Sequence, residues 1–204
     1  MNAAVLTGDI IRSRELNPER RAGLQNALEE AFSAAEKQSP GFRAAQYRGD
    51  SFQAIVVPDH GLKTLLLIQA MLRIEDFGVR IALGLGDMTY DSGNILTSDG
   101  SAFQLSGPAL DELKKKIVSV NGPEDSFNEE WKVHALTLDY LLKRWTIPQA
   151  EAVLGQLRGL TQEETARGLQ VRQPAVQQRL QSAGWPVMEA ILERFVSSVH
   201  ALVF

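Results

Sequence analysis

The chain has 204 residues, 44% of them hydrophobic and 23% charged, with 21 basic against 25 acidic side chains. That length suits one large domain or two small ones, and the apolar share excludes the disordered and low-complexity classes. A net charge of -4 argues against a protein that coats nucleic acid without sequence preference, and the absence of cysteine removes disulfide scaffolds, thiolate zinc sites and cysteine nucleophiles together.

From the N-terminus, Ala3-Ala4-Val5-Leu6 predicts a buried strand that stops at Thr7-Gly8-Asp9. Asp9 and Arg12 arrive before any long apolar stretch, so no signal peptide is expected. Residues 18–37 carry Leu24, Leu28, Ala31, Phe32 and Ala35 at helical spacing, with Asn17 as N-cap. Two strands, 42–48 and 51–57, are separated by Gly49-Asp50, which predicts a hairpin with a tight two-residue turn. A second helix over 62–76 contains the apolar run Leu65-Leu66-Leu67-Ile68, far short of the ~20 residues that a membrane span needs. A strand over 79–85, a polar Gly-rich excursion to Asp99-Gly100, a helix over 108–115 and a strand over 117–120 follow. Lys114-Lys115-Lys116 reads as a solvated helix end favoured by the helix dipole. The order β-α-β-β-α-β with an α-β tail is that of a ferredoxin-like core.

Asn121-Gly122-Pro123-Glu124-Asp125 has turn chemistry and divides the charge: 1–125 is acidic, while 126–204 is balanced. The domain boundary is therefore expected there, with an α+β domain over 1–125 and an all-α domain over 126–204. Ser126-x-x-Glu129 and Thr161-x-x-Glu164 read as capping boxes, and helices are predicted over 129–145, 148–158, 162–168, 174–182 and 186–204. Within 161–182, Ala166 suits a close helix crossing, Leu169 and Val171 wedge a turn, and Val176 and Leu180 pin the second helix. Arg172, Gln173, Gln177, Gln178, Arg179 and Gln181 are left to project outwards. Arg can read guanine and Gln adenine in the major groove, so these six are the candidate contacts to double-stranded DNA. The stretch resembles the helix-turn-helix of bacterial regulators and sigma-factor-like modules. Two half-sites on one DNA face imply a homodimer.

In the first half, Asp9 closes the first strand and Asp50 sits on the hairpin, and a β-α-β-β core brings both towards one sheet edge. Together with the Ile10 carbonyl they are hard oxygen ligands suited to one or two Mg²⁺ or Mn²⁺ ions bridging to substrate phosphates. Gly49-Asp50-Ser51-Phe52 resembles a diverged Gly-Gly-Asp-Glu-Phe hairpin of diguanylate cyclases, and the segment from Arg80 to Asp87 resembles a strand of class III nucleotide cyclases. That resemblance implies a nucleotide site including Arg48, Gly49, Ser51 and Gln104. The sequence departs from the pattern in having Ser51 where an acid is used and Gln104 without a following Arg.

Taken together, Thr7-Gly8-Asp9-Ile10-Ile11 with Ser13-Arg14, Arg48 to Gln53, Ser106-Gly107-Pro108-Ala109-Leu110, Trp145-Thr146-x-x-Gln149 and Ala183-Gly184-Trp185 resemble the SatD family of bacterial proteins over nearly the whole chain. The resemblance implies a nucleotide-cyclase palm-like domain joined to a helix-turn-helix, in a bacterial cytoplasm. The expected function is a one-component DNA-binding regulator whose palm-like domain binds a nucleotide with a divalent metal. The alternatives are a divergent metal-dependent nucleotidyltransferase or cyclase, and a catalytically dead dimeric interaction protein.

Overall fold

The computed structural model describes residues 1–202 and has a mixed α+β architecture. In chain order it contains β1 (Asn2–Ile10), α1 (Pro18–Gln38), β2 (Arg43–Tyr47), β3 (Ser51–Val56), α2 (Gly61–Ile74), β4 (Val79–Asp87), α3 (Ser101–Glu112) and β5 (Val118–Asn121). Five more helices follow: α4 (Asp125–Leu142), α5 (Ile147–Leu157), α6 (Gln162–Gly168), α7 (Gln173–Ala183) and α8 (Trp185–Ala201). The last two residues of the helix predicted over 186–204 lie outside the described residues. Among the described residues no helix is long and apolar enough to cross a membrane.

The five strands form one sheet in the order β2-β3-β1-β4-β5, with β5 parallel to β4 and all other pairs antiparallel. Alternate residues of a strand face opposite sides, and β1 is apolar on both. Ala4, Leu6 and Ile10 join a core with Leu24 and Leu28 of α1 and Leu65 and Leu66 of α2. Ala3 and Val5 pack on the other side with Ile55, Ala102 and Phe103. Gly84 and Gly86 explain how α3 comes so close to that second face. A Cβ at Gly84 would overlap the Ala102 carbonyl oxygen, and one at Gly86 would lie 2.5 Å from the Ser101 hydroxyl. The Gly-x-Gly pair is thus a helix-packing device.

Several expected boundaries move, each for a local reason. β1 does not stop at Thr7-Gly8-Asp9 but runs to Ile10, because Asp9 is paired on both sides, opposite Ser51 and Arg80. The hairpin turn has three residues, 48–50, since Tyr47 pairs with Ser51. Arg48 and Gly49 both adopt left-handed backbone there, at φ 57° and 79°. α3 starts at Ser101 rather than at Pro108, which lies inside it on the exposed side. The carbonyl that Pro108 leaves without an N–H belongs to Gln104, also exposed, where water can reach it. The box expected at Ser126-x-x-Glu129 does not form. Asn128 clamps Gly122 with both amide groups, donating to its carbonyl at 3.0 Å and accepting from its N–H at 2.8 Å. The helix consequently begins at Asp125 and leaves Ser126 inside its first turn. The box at Thr161 and Glu164 does form, and a second opens α5 through Thr146 and Gln149.

The helices of the second half do not stand apart from the sheet. α2, buried nearly all round, has Trp145, Ala150 and Val153 in the same continuous core as its own Leu62 and Leu65.

Candidate functional site

The C-terminal end of β1 and the β2–β3 turn are stitched together by the Ile10 N–H, which donates to the Asp50 carbonyl at 2.9 Å. That bond and the Asp9–Ser51 register bring the two expected carboxylates to one place. The Ser51 hydroxyl lies 3.2 Å from Asp9 Oδ1 and 3.4 Å from Asp50 Oδ1, within reach of both acids. Asp50 Oδ2 accepts from the Ser13 hydroxyl at 2.5 Å, and Asp9 Oδ2 is paired with the Arg80 guanidinium.

Asp9, Ile10, Ser13, Asp50 and Arg80 line an open cleft of about 670 Å³; Ser51 stands beside the two acids without lining it. Its remaining wall comes from two turns. After β1, Arg12 takes left-handed backbone (φ 58°) and starts a short 3₁₀ turn over Ser13–Glu15. Between α3 and β5, Lys114 does the same (φ 50°) and turns Lys115 and Lys116 to the cleft. The lining holds Arg12, Arg14, Arg80 and three lysines against Asp9, Glu15 and Asp50. In a chain of net negative charge, this local excess of cations gives the cleft a positive potential. Beside it, burial pushes the Tyr47 phenol above its ordinary range. Asp9 adds to that shift, Arg48 partly offsets it, and Asp111 and Asp50 contribute smaller increments.

The oxygen donors fit a hard divalent cation. Asp9 Oδ1 and Asp50 Oδ1 share one hydroxyl neighbour, and Ile10 lines the same cleft. Arg80 competes with such a cation for Asp9. Among the described residues there is no cluster of three His, Cys, Asp or Glu side chains placed to hold a metal.

The other expected nucleotide contacts are less concentrated. Arg48 is exposed on the hairpin turn, and the Gly49 carbonyl already accepts from Gln25 and Gln46, at 2.9 and 2.8 Å. Gln104 sits on the exposed side of α3 and does not line the cleft. Conversely, Arg12, Arg80 and the lysine run were not singled out as site residues by the sequence. A run of three lysines reads as solvent-facing until the fold shows what stands opposite.

The six residues expected at DNA divide in two. Arg172, Gln177, Gln178 and Gln181 are exposed at the start and along the outer face of α7. Gln173 instead donates to Gln162 of α6 at 2.6 Å, and Arg179 turns inwards to Glu151 of α5 at 3.3 Å. The turn between α6 and α7 passes through left-handed backbone at Gln170 (φ 55°). Gly155 of α5 permits the close approach of Thr165.

No family model matches the sequence, and no curated protein matches it. Among solved structures, a bacterial light-regulated adenylyl cyclase is similar with a TM-score of 0.41 and 14% identity, over 58% of this chain and 74% of that one. The guanylyl cyclase Cya2 is similar with a TM-score of 0.40 and 14% identity, over 55% of this chain and 70% of that one.

Proposed function

We propose that this chain binds a nucleoside polyphosphate together with Mg²⁺ or Mn²⁺ in the cleft at the end of β1. The observation that carries this reading is the meeting of two adjoining carboxylates with six basic side chains around one cleft. Asp9 and Asp50 would hold the cation, and Arg12, Arg14 and the lysine turn would take the phosphates. The bound metal would neutralise phosphate charge and orient the chain of phosphates. The test is thermal unfolding against a nucleotide panel, with and without either metal, for wild type and Asp50→Ala. A ligand at 100 times its dissociation constant stabilises by about 2.7 kcal/mol. A metal-dependent rise in midpoint, absent from the variant, is expected; no rise with any nucleotide overturns the reading.

A second reading, carried by a different observation, is that α6 and α7 bind double-stranded DNA as a helix-turn-helix in a homodimer. It is supported by the left-handed turn at Gln170, the buttressing by α5 and the exposed row Gln177, Gln178 and Gln181 behind Arg172. Arg172→Ala and Gln177→Ala are expected to weaken sequence-selective, salt-dependent DNA binding while leaving the thermal midpoint unchanged. Arg179→Ala is expected to lower the midpoint, because it removes the tie to Glu151. Sedimentation at several protein concentrations checks the dimer.

A further inference from the structure

We propose that Asp139, on α4, is a positioning residue for the cationic wall of the cleft. The inference rests on the polyphosphate reading above and adds to it how the site is held. Asp139 does not line the cleft. It is 8% exposed, and its carboxylate is committed on both oxygens. Oδ1 accepts the Ile117 N–H at 2.7 Å in a buried bond, and Oδ2 accepts Lys143 Nζ at 2.7 Å.

Ile117 is fixed on its other side as well. Its carbonyl accepts the Ile81 N–H at 2.9 Å and Gln69 Nε2 at 3.4 Å. The lysine turn therefore hangs between two anchors. One is Ile117, and the other is Leu113, buried against Ala82 and Leu110 and bonded through its carbonyl to the Lys116 N–H at 2.7 Å. A buried carboxylate is costly unless its bonds are made, and a buried N–H left without an acceptor is costly too. The pair therefore fixes Ile117 strongly, and with it the backbone from which three flexible cations extend. A turn fixed in advance binds a chain of phosphates with less loss of freedom than one ordered by the ligand. The helical half thus supports an anion site to which none of its described residues contributes lining.

The test uses the full chain with magnesium tripolyphosphate and, separately, inorganic monophosphate, titrated by calorimetry into wild type, Asp139→Ala and Asp139→Asn. Asp139→Ala is expected to weaken tripolyphosphate by about tenfold, the order of cost for a ligand that must itself immobilise one or two side chains of the loosened turn, and monophosphate much less. Asp139→Asn keeps a carbonyl oxygen for the Ile117 N–H and is expected to restore binding to within about threefold of wild type. Equal binding by Asp139→Ala and wild type, or equal losses for both phosphates, overturns the proposal, as does failure of Asp139→Asn to restore binding. If Asp139→Ala does not fold, amide exchange in the free wild type decides: the Ile117 N–H should be strongly protected before any phosphate is added, and fast exchange there overturns the proposal. A wild type that binds no tripolyphosphate overturns the polyphosphate reading itself, and this proposal with it.

Discussion

Arg80 holds one oxygen of Asp9 while the Ser51 hydroxyl reaches the other, so both oxygens of this carboxylate already have partners before any cation arrives. The Asp50 carboxylate, by contrast, is bonded among the described residues by hydroxyls, from Ser13 and Ser51. A divalent ion entering the cleft therefore displaces or shares a guanidinium at one ligand and only hydroxyl bonds at the other. Replacing Arg80 by Gln should tighten Mn²⁺ binding to the free protein by about tenfold, since one competing charge is gone. The same change should weaken tripolyphosphate, which loses a cation; titration of each ligand separately distinguishes the two effects. Tyr47 reports on the same acids. Its phenol is raised by burial first and by Asp9 next, so it keeps its proton at pH values where an unfolded tyrosine has lost it. Its contribution to stability is full below the ordinary tyrosine range and is lost as pH rises through the higher folded value. Ultraviolet titration of tyrosinate should show a late component that disappears in Tyr47→Phe.

Helix α8 is tied to α4 by a two-pronged pair, Arg194 to Glu130, at 2.6 and 2.9 Å. The Arg194 bonds hold the Glu130 carboxyl below its ordinary range. For a lowered acid, the stabilisation is present above the unfolded value and fades as pH falls through the folded one. The midpoint gap between wild type and Glu130→Gln should therefore be widest near neutrality and close in acid, as followed by circular dichroism. A harsher test of packing is Gly84→Ala. The added methyl would collide with backbone of α3, and neither chain can yield cheaply, so a loss of about 3 kcal/mol is expected in denaturant titrations. These elements also show what the sequence made legible. The continuous apolar run in β1, the helical spacing from Leu24 to Ala35 and the Thr161–Glu164 box are local patterns, and local patterns were readable. The start of α4 was not, because it depends on Asn128 reaching back to Gly122, a contact that competes with the plausible serine cap. The convergence of Asp9 and Asp50 was readable from strand order. The lysine turn was not, because its role depends on which elements face it across the cleft.

At the scale of the molecule, α2 decides the architecture. A helix apolar nearly all round must be covered on every side. Here the sheet and α1 cover part of it, while α5 and Trp145 share its core in the helical half. Calorimetry is expected to show one cooperative transition for the whole chain, with calorimetric and van't Hoff enthalpies agreeing, because separating the halves would expose that core. Trp145 is bonded in both directions at the seam. Its indole N–H donates to the Ala183 carbonyl at the end of α7, and its own carbonyl accepts Arg73 Nε from α2, at 3.1 and 2.8 Å. All three tryptophans of the chain, Trp131, Trp145 and Trp185, lie beyond residue 125, while the acids and the cationic turns of the cleft all come before it. The sheet half is consequently dark in tryptophan emission, and the helical half carries the whole signal. A change in that emission when a phosphate ligand enters the cleft would be light from the far side of the seam, a direct optical reading of whether occupancy at β1 is felt in the helical half.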